Sequence, residues 1–262
     1  MTGTRETITS RSNPRLKQLR RAASRGTVTA SGFALAESPT LLEEALRSGI
    51  EIERVFASER MRATVAKRLP PHRRIPLHPV ADRLFNQVAT TFRSQGVLAL
   101  VKLPDWDPET VFGGLTVVLD GVQDPGNAGA VARSAEAFAA SGLVFLKGSA
   151  SPANPKTLRA GAGSLFRLPT LHGIDAEELI GLAQRHGKTI FAAEARGGVP
   201  LMDAPVDRSA AVVIGSETHG VAPAILEAAT TLAIPTESVE SLNAAVAASV
   251  ILYEAARRRL RP

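Results

Sequence analysis

The second half of the chain alternates short apolar runs with longer stretches of helical character. The apolar runs are "LTVVLD" (115–120), "GLVFLK" (142–147), "KTIFAAE" (188–194), "AAVVIG" (210–215) and "TLAIP" (231–235). Stretches of helical character lie between and after them, at 127–140, 155–162, 175–186, 222–229 and 241–260. Continuous apolar runs are typical of strands that are buried on both faces, and their alternation with helices predicts an open parallel sheet. The fold class is therefore α/β, in which ligands bind beyond the carboxyl ends of the strands.

A linker-like segment divides the chain. The stretch "VKLPDWDPETVFGG" (101–114) places two prolines, three acidic residues and a Gly-Gly pair between periodic segments, a composition typical of a boundary. Upstream of it, two helical patterns and short strand-like runs predict a second, smaller α/β domain. We expect a first domain at 1–104, a linker at 105–113 and a second domain at 114–262.

The positive charge of the chain is concentrated in its first half. Residues 1–104 contain 18 Lys or Arg and 8 Asp or Glu, whereas residues 105–262 contain 13 and 17. A basic half favours a polyanionic partner such as a nucleic acid. Charge alone leaves the alternative of a solvated basic surface without a partner.

Several kinds of site and location are disfavoured by what the sequence lacks. The absence of cysteine excludes disulfides and cysteinyl metal sites, and His219 has no partner at metal-ligand spacing, so we expect no metal. No run approaches the ~18 apolar residues of a membrane span. The N-terminus lacks the apolar core of a secretory signal. An Arg- and Ser/Thr-rich N-terminus leaves a transit peptide as an alternative to a cytoplasmic location.

The first of three polar loops at strand ends lies in "LDGVQDPGNAGAVARSAEAF" (119–138), and residues 120–127 are named loop I. The spacing of Gly121 and Gly126 mimics a phosphate-binding loop, but Asn127 stands where that loop needs a lysine. The candidates left are Asn127 and, almost two helical turns later, Arg133. They either address a substrate at the start of the helix, or serve as a helix cap and a surface charge.

The second polar loop lies in "VVIGSETHGVAP" (212–223), and residues 215–223 are named loop II. Its spacing is not the G-x-S-x-G of a hydrolase. Glu217 follows a buried strand and is flanked by glycines. Its carboxylate either accepts hydrogen bonds from an amine or an arginine, or lies in water.

The third polar loop, residues 234–243 or loop III, lies in "LAIPTESVESLNAAVAASVILYEAARRR" (232–259). Ser241 and Asn243 lead into a helix that is apolar nearly all round. Such a helix is buried in the core or at a subunit interface. Unpaired polar atoms are costly there, so these two side chains either cap the helix or bind a ligand.

Together the three loops resemble the SpoU (TrmH-like) class of SPOUT RNA methyltransferases. The family motifs occur in order as "DGVQDPGNAGAVARSAEAF", "VVIGSETHGV" and "IPTESVESLNAAVAASVILYEAARRR", covering about 115–259. The first half is similar to the L30e-like substrate-binding domain of many relatives, through "ITSRSNPRLKQLRR" and "FRSQGVLALV". The segment "NPKTLRAGAGSLFRLP" (154–169) resembles the one that joins the first two motifs. Loop III is one residue shorter than usual in the family and lacks a common glycine, whereas its Ser-Leu-Asn is intact.

The resemblance implies that the parallel sheet carries a deep trefoil knot in which loops II and III wrap S-adenosyl-L-methionine. By position, the cofactor contacts are assigned to Gly215, Ile234 and Leu242. The polar residues of the active site are assigned to Asn127, Arg133, Glu217, Ser241 and Asn243. In the family the arginine is proposed to take the proton of the ribose 2′-hydroxyl; its pKa, above ~12, leaves pure positioning as the alternative. The resemblance also implies a homodimer whose sites draw on both chains.

The activity implied is that of an S-adenosylmethionine-dependent RNA 2′-O-ribose methyltransferase acting on ribosomal RNA. Transfer RNA as the substrate, and a non-catalytic RNA-binding or ribosome-assembly role, are the alternatives. The basic first domain is expected to contact RNA phosphates through Arg11, Arg15, Lys17, Arg20 and Arg21. Three cations of the joining segment either approach RNA or are surface charges: Lys156, Arg159 and Arg167. Four phenylalanines are expected in the core and not as platforms for bases: Phe33, Phe56, Phe85 and Phe92.

Overall fold

The computed structural model describes residues 6–260, apart from the side chain of residue 260. These residues cluster into two units. Unit 1 contains the described residues up to Pro104 together with Ala153–Arg167, and unit 2 contains Asp105–Pro152 and the described residues from Leu168 onward. The segment 153–167 thus packs as part of unit 1, although it lies within the range 114–262 expected for the second domain.

Helices and strands are numbered in chain order. The strands are β1 (Ala34–Glu37), β2 (Ile52–Ser58), β3 (Leu77–Val80), β4 (Val97–Val101), β5 (Thr116–Asp120), β6 (Gly142–Leu146), β7 (Thr170–Ile174), β8 (Thr189–Glu194), β9 (Val199–Pro200), β10 (Ala210–Gly215) and β11 (Thr230–Ala233). The α-helices are α1 (Pro14–Arg25), α2 (Pro39–Arg47), α3 (Arg62–Arg68), α4 (Asp82–Phe85), α5 (Pro108–Val111), α6 (Pro125–Ala137), α7 (Pro155–Ala160), α8 (Ala176–Arg185), α9 (Pro223–Ala228) and α10 (Ala244–Leu260). Short 3-10 turns lie at Glu59–Met61, Pro71–Arg73 and Ser164–Phe166.

Unit 1 is built on a four-stranded sheet in the order β1-β4-β2-β3. Strand β4 is antiparallel to both β1 and β2, and β3 is parallel to β2. Helix α1 begins at Pro14 because the Asn13 side chain accepts a hydrogen bond from the Arg15 amide at 3.0 Å. Its apolar face, with Leu16 and Leu19, packs into the core of the unit, which leaves the basic residues of α1 on the outside.

The expectation for the phenylalanines is correct for three and wrong for one. Phe33, Phe56 and Phe85 are buried in the core of unit 1, whereas Phe92 is fully exposed. Phe92 lies in the loop between α4 and β4 and not on a periodic segment, so no strand or helix face directs its ring inward.

Unit 2 contains the predicted parallel sheet. Its seven strands lie in the order β7-β6-β5-β10-β8-β11-β9, and every neighbouring pair is parallel. This confirms the α/β class. Two edge strands were not predicted: β7 is half-exposed and contains a register shift opposite β6, and β9 has only two residues.

The helices of unit 2 start later or earlier than their sequence patterns suggest. Helix α6 begins at Pro125, since Asp124 and not Asn127 is its cap: the Asp124 carboxylate accepts a hydrogen bond from the Asn127 amide at 2.7 Å. Helix α10 begins at Ala244, since the Asn243 side chain accepts from the Ala245 amide at 3.0 Å. Both caps fix a loop residue relative to the helix that follows it.

Helix α10 is buried on one face only. Ile251 and Leu252 are fully buried, whereas Val246, Val250 and Tyr253 are 48%, 36% and 55% exposed. The exposed residues recur at i, i+4 and i+7 and therefore form one apolar stripe along the helix. The second face of α10 is thus unpaired within the described part of one chain.

No helix between residues 6 and 260 combines the length and the apolar character that crossing a bilayer requires. Within the same range, no three His, Asp or Glu side chains are grouped so as to hold a metal ion.

The end of α10 provides a test of stability against pH. Hydrogen bonds from Arg257 and Arg258 lower the pKa of Glu254 from 4.5 to about 2. A carboxylate whose folded-state pKa is depressed stabilises the fold above its unfolded pKa, and this contribution is lost as pH falls through the folded value. Glu254→Gln should lower the Tm by up to about 3 °C at neutral pH, and the gap to wild type should shrink between pH 4.5 and about 2.

Thermal unfolding at neutral and acid pH measures this gap. Glu227→Gln is the matched control, because Glu227 is an exposed helical glutamate without an ion pair among the described residues. A gap for Glu254→Gln that is equally large at both pH values would contradict the assignment.

Candidate functional site

The carboxyl ends of adjacent parallel strands bring the three loops to one edge of the sheet. In register, Gly215 at the end of β10 lies beside Asp120 at the end of β5. On the other side of β10, strand β8 ends at Glu194, which pairs with Ala233 of β11. Loops I, II and III leave β5, β10 and β11 from this edge, which is the expected place for a ligand in a parallel sheet.

Three side chains from the three loops are joined by hydrogen bonds. The Asn127 Nδ2 donates to Glu217 Oε1 at 2.5 Å, and the Asn243 Nδ2 donates to Asn127 Oδ1 at 3.1 Å. Asn243 Oδ1 is engaged in capping α10, which fixes the orientation of its amide. We name Asn127, Glu217 and Asn243 the amide–carboxylate cluster. The cluster links loops that are about ninety or more residues apart in sequence.

Loop II closes on itself through its backbone. The amides of Ser216 and Gly220 each donate to the carbonyl of the other, at 3.1 and 3.0 Å. A Cβ on Gly215 would lie 2.3 Å from the carbonyl carbon of Gly220, so only glycine fits there. Asp120 Oδ2 accepts from the Ala222 amide at 2.7 Å and ties the end of loop II to the start of loop I.

A cavity of about 400 Å³ lies between loops II and III. Gly215, Ile234 and Leu242, which the resemblance assigns to the cofactor, all line it. Of the assigned active-site residues, Glu217 and Ser241 line it as well. The volume lies in the range of small-molecule sites, which are about 300–1,000 Å³.

The cavity has both apolar walls and a buried carboxylate oxygen. Ile214 and Leu232 supply further apolar surface. Glu194, at the end of β8, also lines the cavity, and its Oε1 atom is buried without a hydrogen-bond partner. A buried carboxylate oxygen is costly unless a donor reaches it, and a ligand with a hydroxyl or an ammonium group would supply that donor.

Sequence reasoning missed Glu194. It is the last letter of the strand "KTIFAAE", and an acid at the end of a strand carries no signal of its own before the fold places it beside loops II and III. Arg196 was missed as well; it lines the cavity and pairs with Glu240 of loop III at 2.6 Å. Both side chains of this pair are largely exposed, so the pair contributes little to stability.

Arg133 is not brought into the amide–carboxylate cluster. It lies exposed on α6, six residues after Asn127, and does not line the cavity. Among residues 6–260 it forms no hydrogen bond or ion pair. Six residues turn an α-helix by about 240°, so the two side chains point away from the axis in different directions.

The basic residues assigned to RNA all lie in unit 1. On and before α1, Arg11, Arg15, Lys17 and Arg21 are exposed, and Arg20 is half-buried because it bonds to the Leu16 carbonyl at 3.3 Å. In the segment 153–167, the three cations differ in their contacts. Lys156 is exposed, Arg159 donates to Thr90 Oγ1 at 3.2 Å, and Arg167 pairs with Glu44 at 2.7 Å.

Comparison with known proteins places both halves of the chain. Residues 114–253 match the SpoU rRNA methylase family, and residues 13–99 match the MRM3-like substrate-binding domain. The chain is 31% identical to an uncharacterized tRNA/rRNA methyltransferase of Synechocystis, over 96% of this chain and 94% of that protein. It is 28% identical to the 23S rRNA (guanosine(2553)-2′-O)-methyltransferase RlmP of Bacillus subtilis, over 94% and 97%. The AdoMet-bound rRNA methyltransferase of Sinorhizobium meliloti superposes with a TM-score of 0.84 at 25% identity, covering 98% and 99%.

The close approach at Gly215 gives a prediction for stability. Gly215→Ala should destabilise the chain by about 1–3 kcal/mol, because its Cβ would collide with backbone that cannot rotate away. Gly181 lies inside α8, and its Cβ would meet only the tip of the Arg185 side chain at 3.5 Å. Gly181→Ala should therefore be neutral or stabilising by up to about 1 kcal/mol. Urea unfolding midpoints compare the two, and equal midpoints would show that loop II tolerates a side chain.

Proposed function

The chain belongs to the SpoU rRNA methylase family, and we propose that it transfers the methyl group of S-adenosyl-L-methionine to a ribose 2′-hydroxyl of ribosomal RNA. The observation that carries the proposal is the position of the loop II–III cavity, which adjoins the amide–carboxylate cluster at one edge of the sheet. Similarity to RlmP over nearly the full length of both chains supports ribosomal RNA as the substrate.

The residues of the cavity fit the cofactor. Apolar side chains such as Ile234 and Leu242 would cover the adenine, and the backbone of loop II beside Gly215 offers polar groups. The unpartnered Glu194 oxygen would accept from a hydroxyl or from the amino group of the methionine part. When bound, S-adenosylmethionine supplies an electrophilic methyl group on a positively charged sulfur.

The amide–carboxylate cluster and Ser241 would orient the nucleotide that is methylated. A ribose hydroxyl is a poor nucleophile at neutral pH, so its placement and the removal of its proton limit the rate. Asn127 and Asn243 hold each other in a fixed orientation, and Glu217 holds loop II against loop I. The cluster would thus form the substrate side of the site, with the cofactor on the side of Gly215.

We assign two roles to Arg133: it binds a phosphate of the substrate, and it stabilises the negative charge that develops on the 2′-oxygen. Its free, exposed guanidinium is the group that remains for this role on α6. A guanidinium binds phosphate through two parallel hydrogen bonds. Its high pKa favours positioning and electrostatic stabilisation over removal of the proton.

The unpaired face of α10 supports a homodimer. Val246, Val250 and Tyr253 form its exposed apolar stripe, and α10 packs against α6, where Ser134 and Ser249 share a 2.7 Å hydrogen bond. As in the family, whose sites draw on both chains, we assign Arg133 of one chain to the site of a second. The deep trefoil knot implied by the family and the cytoplasmic location expected from the sequence stay predictions.

Methyl transfer to RNA tests the function directly. The chain is incubated with tritiated S-adenosylmethionine and 23S rRNA transcribed in vitro, and the product is digested with alkali. We expect label in alkali-resistant dinucleotides, because a 2′-O-methyl group blocks cleavage of the adjacent phosphodiester. Binding of RNA without transfer of label would favour the non-catalytic alternative. Transfer of label to bulk tRNA but not to 23S rRNA would show that the substrate is transfer RNA and not ribosomal RNA.

Arg133→Ala should lower the rate of methyl transfer at least about 100-fold, because a group that places or stabilises the reacting oxygen is lost. Binding of S-adenosylmethionine, measured by calorimetry, should stay within about 2-fold of wild type, since Arg133 does not line the cavity. Arg185→Ala, which removes an exposed arginine of α8, is the control and should be fully active. Near-normal turnover by Arg133→Ala would refute its role.

Mixing two inactive variants tests whether sites are shared between chains. Equal amounts of Arg133→Ala and Asn243→Ala are mixed and allowed to exchange subunits, so that half of the dimers contain one chain of each variant. If Arg133 serves the partner's site, each mixed dimer has one intact site out of two. The mixture should then recover about a quarter of the wild-type activity. Val250→Glu should give a monomer by sedimentation and remove this recovery. Dimeric mixtures that stay inactive would place Arg133 and Asn243 in the same chain's site.

A further inference from the structure

Phe92 is exposed to a degree that none of the other phenylalanines in unit 1 approaches. Its exposure is 101%, whereas Phe33, Phe56 and Phe85 are at most 8% exposed. A fully exposed aromatic ring contributes nothing to the core of the unit, and aromatic side chains in water are favourable surfaces for stacking. Its surroundings indicate what would stack on it.

The loop that carries Phe92 is anchored on both sides. Before it, Thr90 and Thr91 bond to the buried carboxylate of Glu37: the Thr90 amide donates to Oε2 at 2.8 Å and Thr91 Oγ1 donates to Oε1 at 2.6 Å. Glu37 is only 2% exposed. A buried charge with several donors fixes the backbone that supplies them.

After Phe92, the loop is anchored again. Ser94 is buried, its carbonyl accepts from Arg60 at 3.1 Å, and its hydroxyl accepts from the Gly96 amide at 3.2 Å. The backbone is therefore fixed immediately before and after Phe92 and Arg93, which stand at the tip. A ring presented on a fixed loop loses little conformational entropy when it binds.

The exposed charge next to Phe92 is positive. Arg93 follows Phe92 and is exposed, whereas Arg159 donates to Thr90 and pairs with the buried Glu37 at 3.9 Å. Arg60 lies on the other side of the tip. An aromatic ring among arginines fits a partner that has both flat bases and phosphates, which is single-stranded nucleic acid.

We propose that Phe92 stacks on an unpaired base of the RNA substrate, while Arg93 contacts a phosphate beside that base. This inference rests on the proposed function, because it assigns a binding role within the same RNA complex. It also defines the RNA that unit 1 recognises as one with an unstacked loop or bulge, since bases inside a duplex cannot reach the ring.

Affinity for RNA tests the stacking. With 23S rRNA transcribed in vitro as the probe, Phe92→Leu should bind about 5- to 100-fold more weakly, and Phe92→Trp should bind as well as wild type or better. Val28→Ala, which shortens another exposed apolar residue of unit 1, is the matched control. Arg93→Gln should reduce the slope of log Kd against log salt by about 0.7, whereas Phe92→Leu should leave that slope unchanged.

The RNA for this comparison is one that wild type binds and methylates. If Phe92→Leu binds it with an affinity within about 2-fold of wild type, the inference is overturned and the proposed function stays intact. If wild type neither binds nor methylates RNA, both fail. Loss of folding is excluded by an unchanged Tm, as expected for a side chain that contacts no core.

Fluorescence gives a second, independent readout. The chain has one tryptophan, Trp106, which is half-buried in unit 2, so Phe92→Trp adds an exposed reporter. A 12-nucleotide oligo(A) should quench its emission, and the matching oligo(A)·oligo(U) duplex should not. Wild type reports only the quenching of Trp106. If Phe92→Trp binds the single strand but its emission is quenched no more than that of wild type, the ring at position 92 does not stack.

Discussion

The parallel pairing of β10 between β5 and β8 is the constraint on which the site depends. It places the ends of these strands at one edge of the sheet, with Gly215 beside Asp120. The three loops that leave this edge and neighbouring β11 meet although loop I is ninety or more residues from the residues that it contacts in loops II and III. The Glu217–Asn127–Asn243 hydrogen bonds then fix the loops relative to one another. Loss of this pairing would separate the cavity from the polar residues beside it.

The two units offer surfaces of different chemistry. In unit 2, apolar side chains and loop backbone line the cavity, and we assign the buried Glu194 Oε1 atom to a polar group of the cofactor. The amide–carboxylate cluster is polar, with Glu217 and Asn243 exposed and Asn127 half-buried, and we assign it to the nucleotide that is methylated. Unit 1 supplies positive charge along α1 and an aromatic ring at the tip of a fixed loop. Each surface matches one part of a reaction between a small cationic donor and a polyanionic acceptor.

The sequence predicts the sheet and its polar edge well, because continuous apolar runs and the residues at their ends are local signals. It fails where two residues are equally suited to one local role, and where the outcome depends on tertiary contacts. Asp124 and Asn127 are both residues that cap helices well, and the local backbone of loop I decides between them. Glu194 carries no signal until the fold places the end of β8 beside loops II and III. Phe92 has the character of a core residue, but it lies in a loop where no helix or strand face directs its ring inward. β7 is an edge strand with polar positions, so its pattern is weak.

A crystal structure with bound S-adenosylhomocysteine tests the central claim most directly. The adenosyl group should lie in the cavity between loops II and III, against Gly215, Ile234 and Leu242. Glu194 Oε1 should then be within hydrogen-bond distance of a polar atom of the ligand, and the sulfur should face the side on which Asn127 and Asn243 lie. A ligand bound outside this cavity, or one that leaves Glu194 without a partner and turns its sulfur away from these amides, would contradict it.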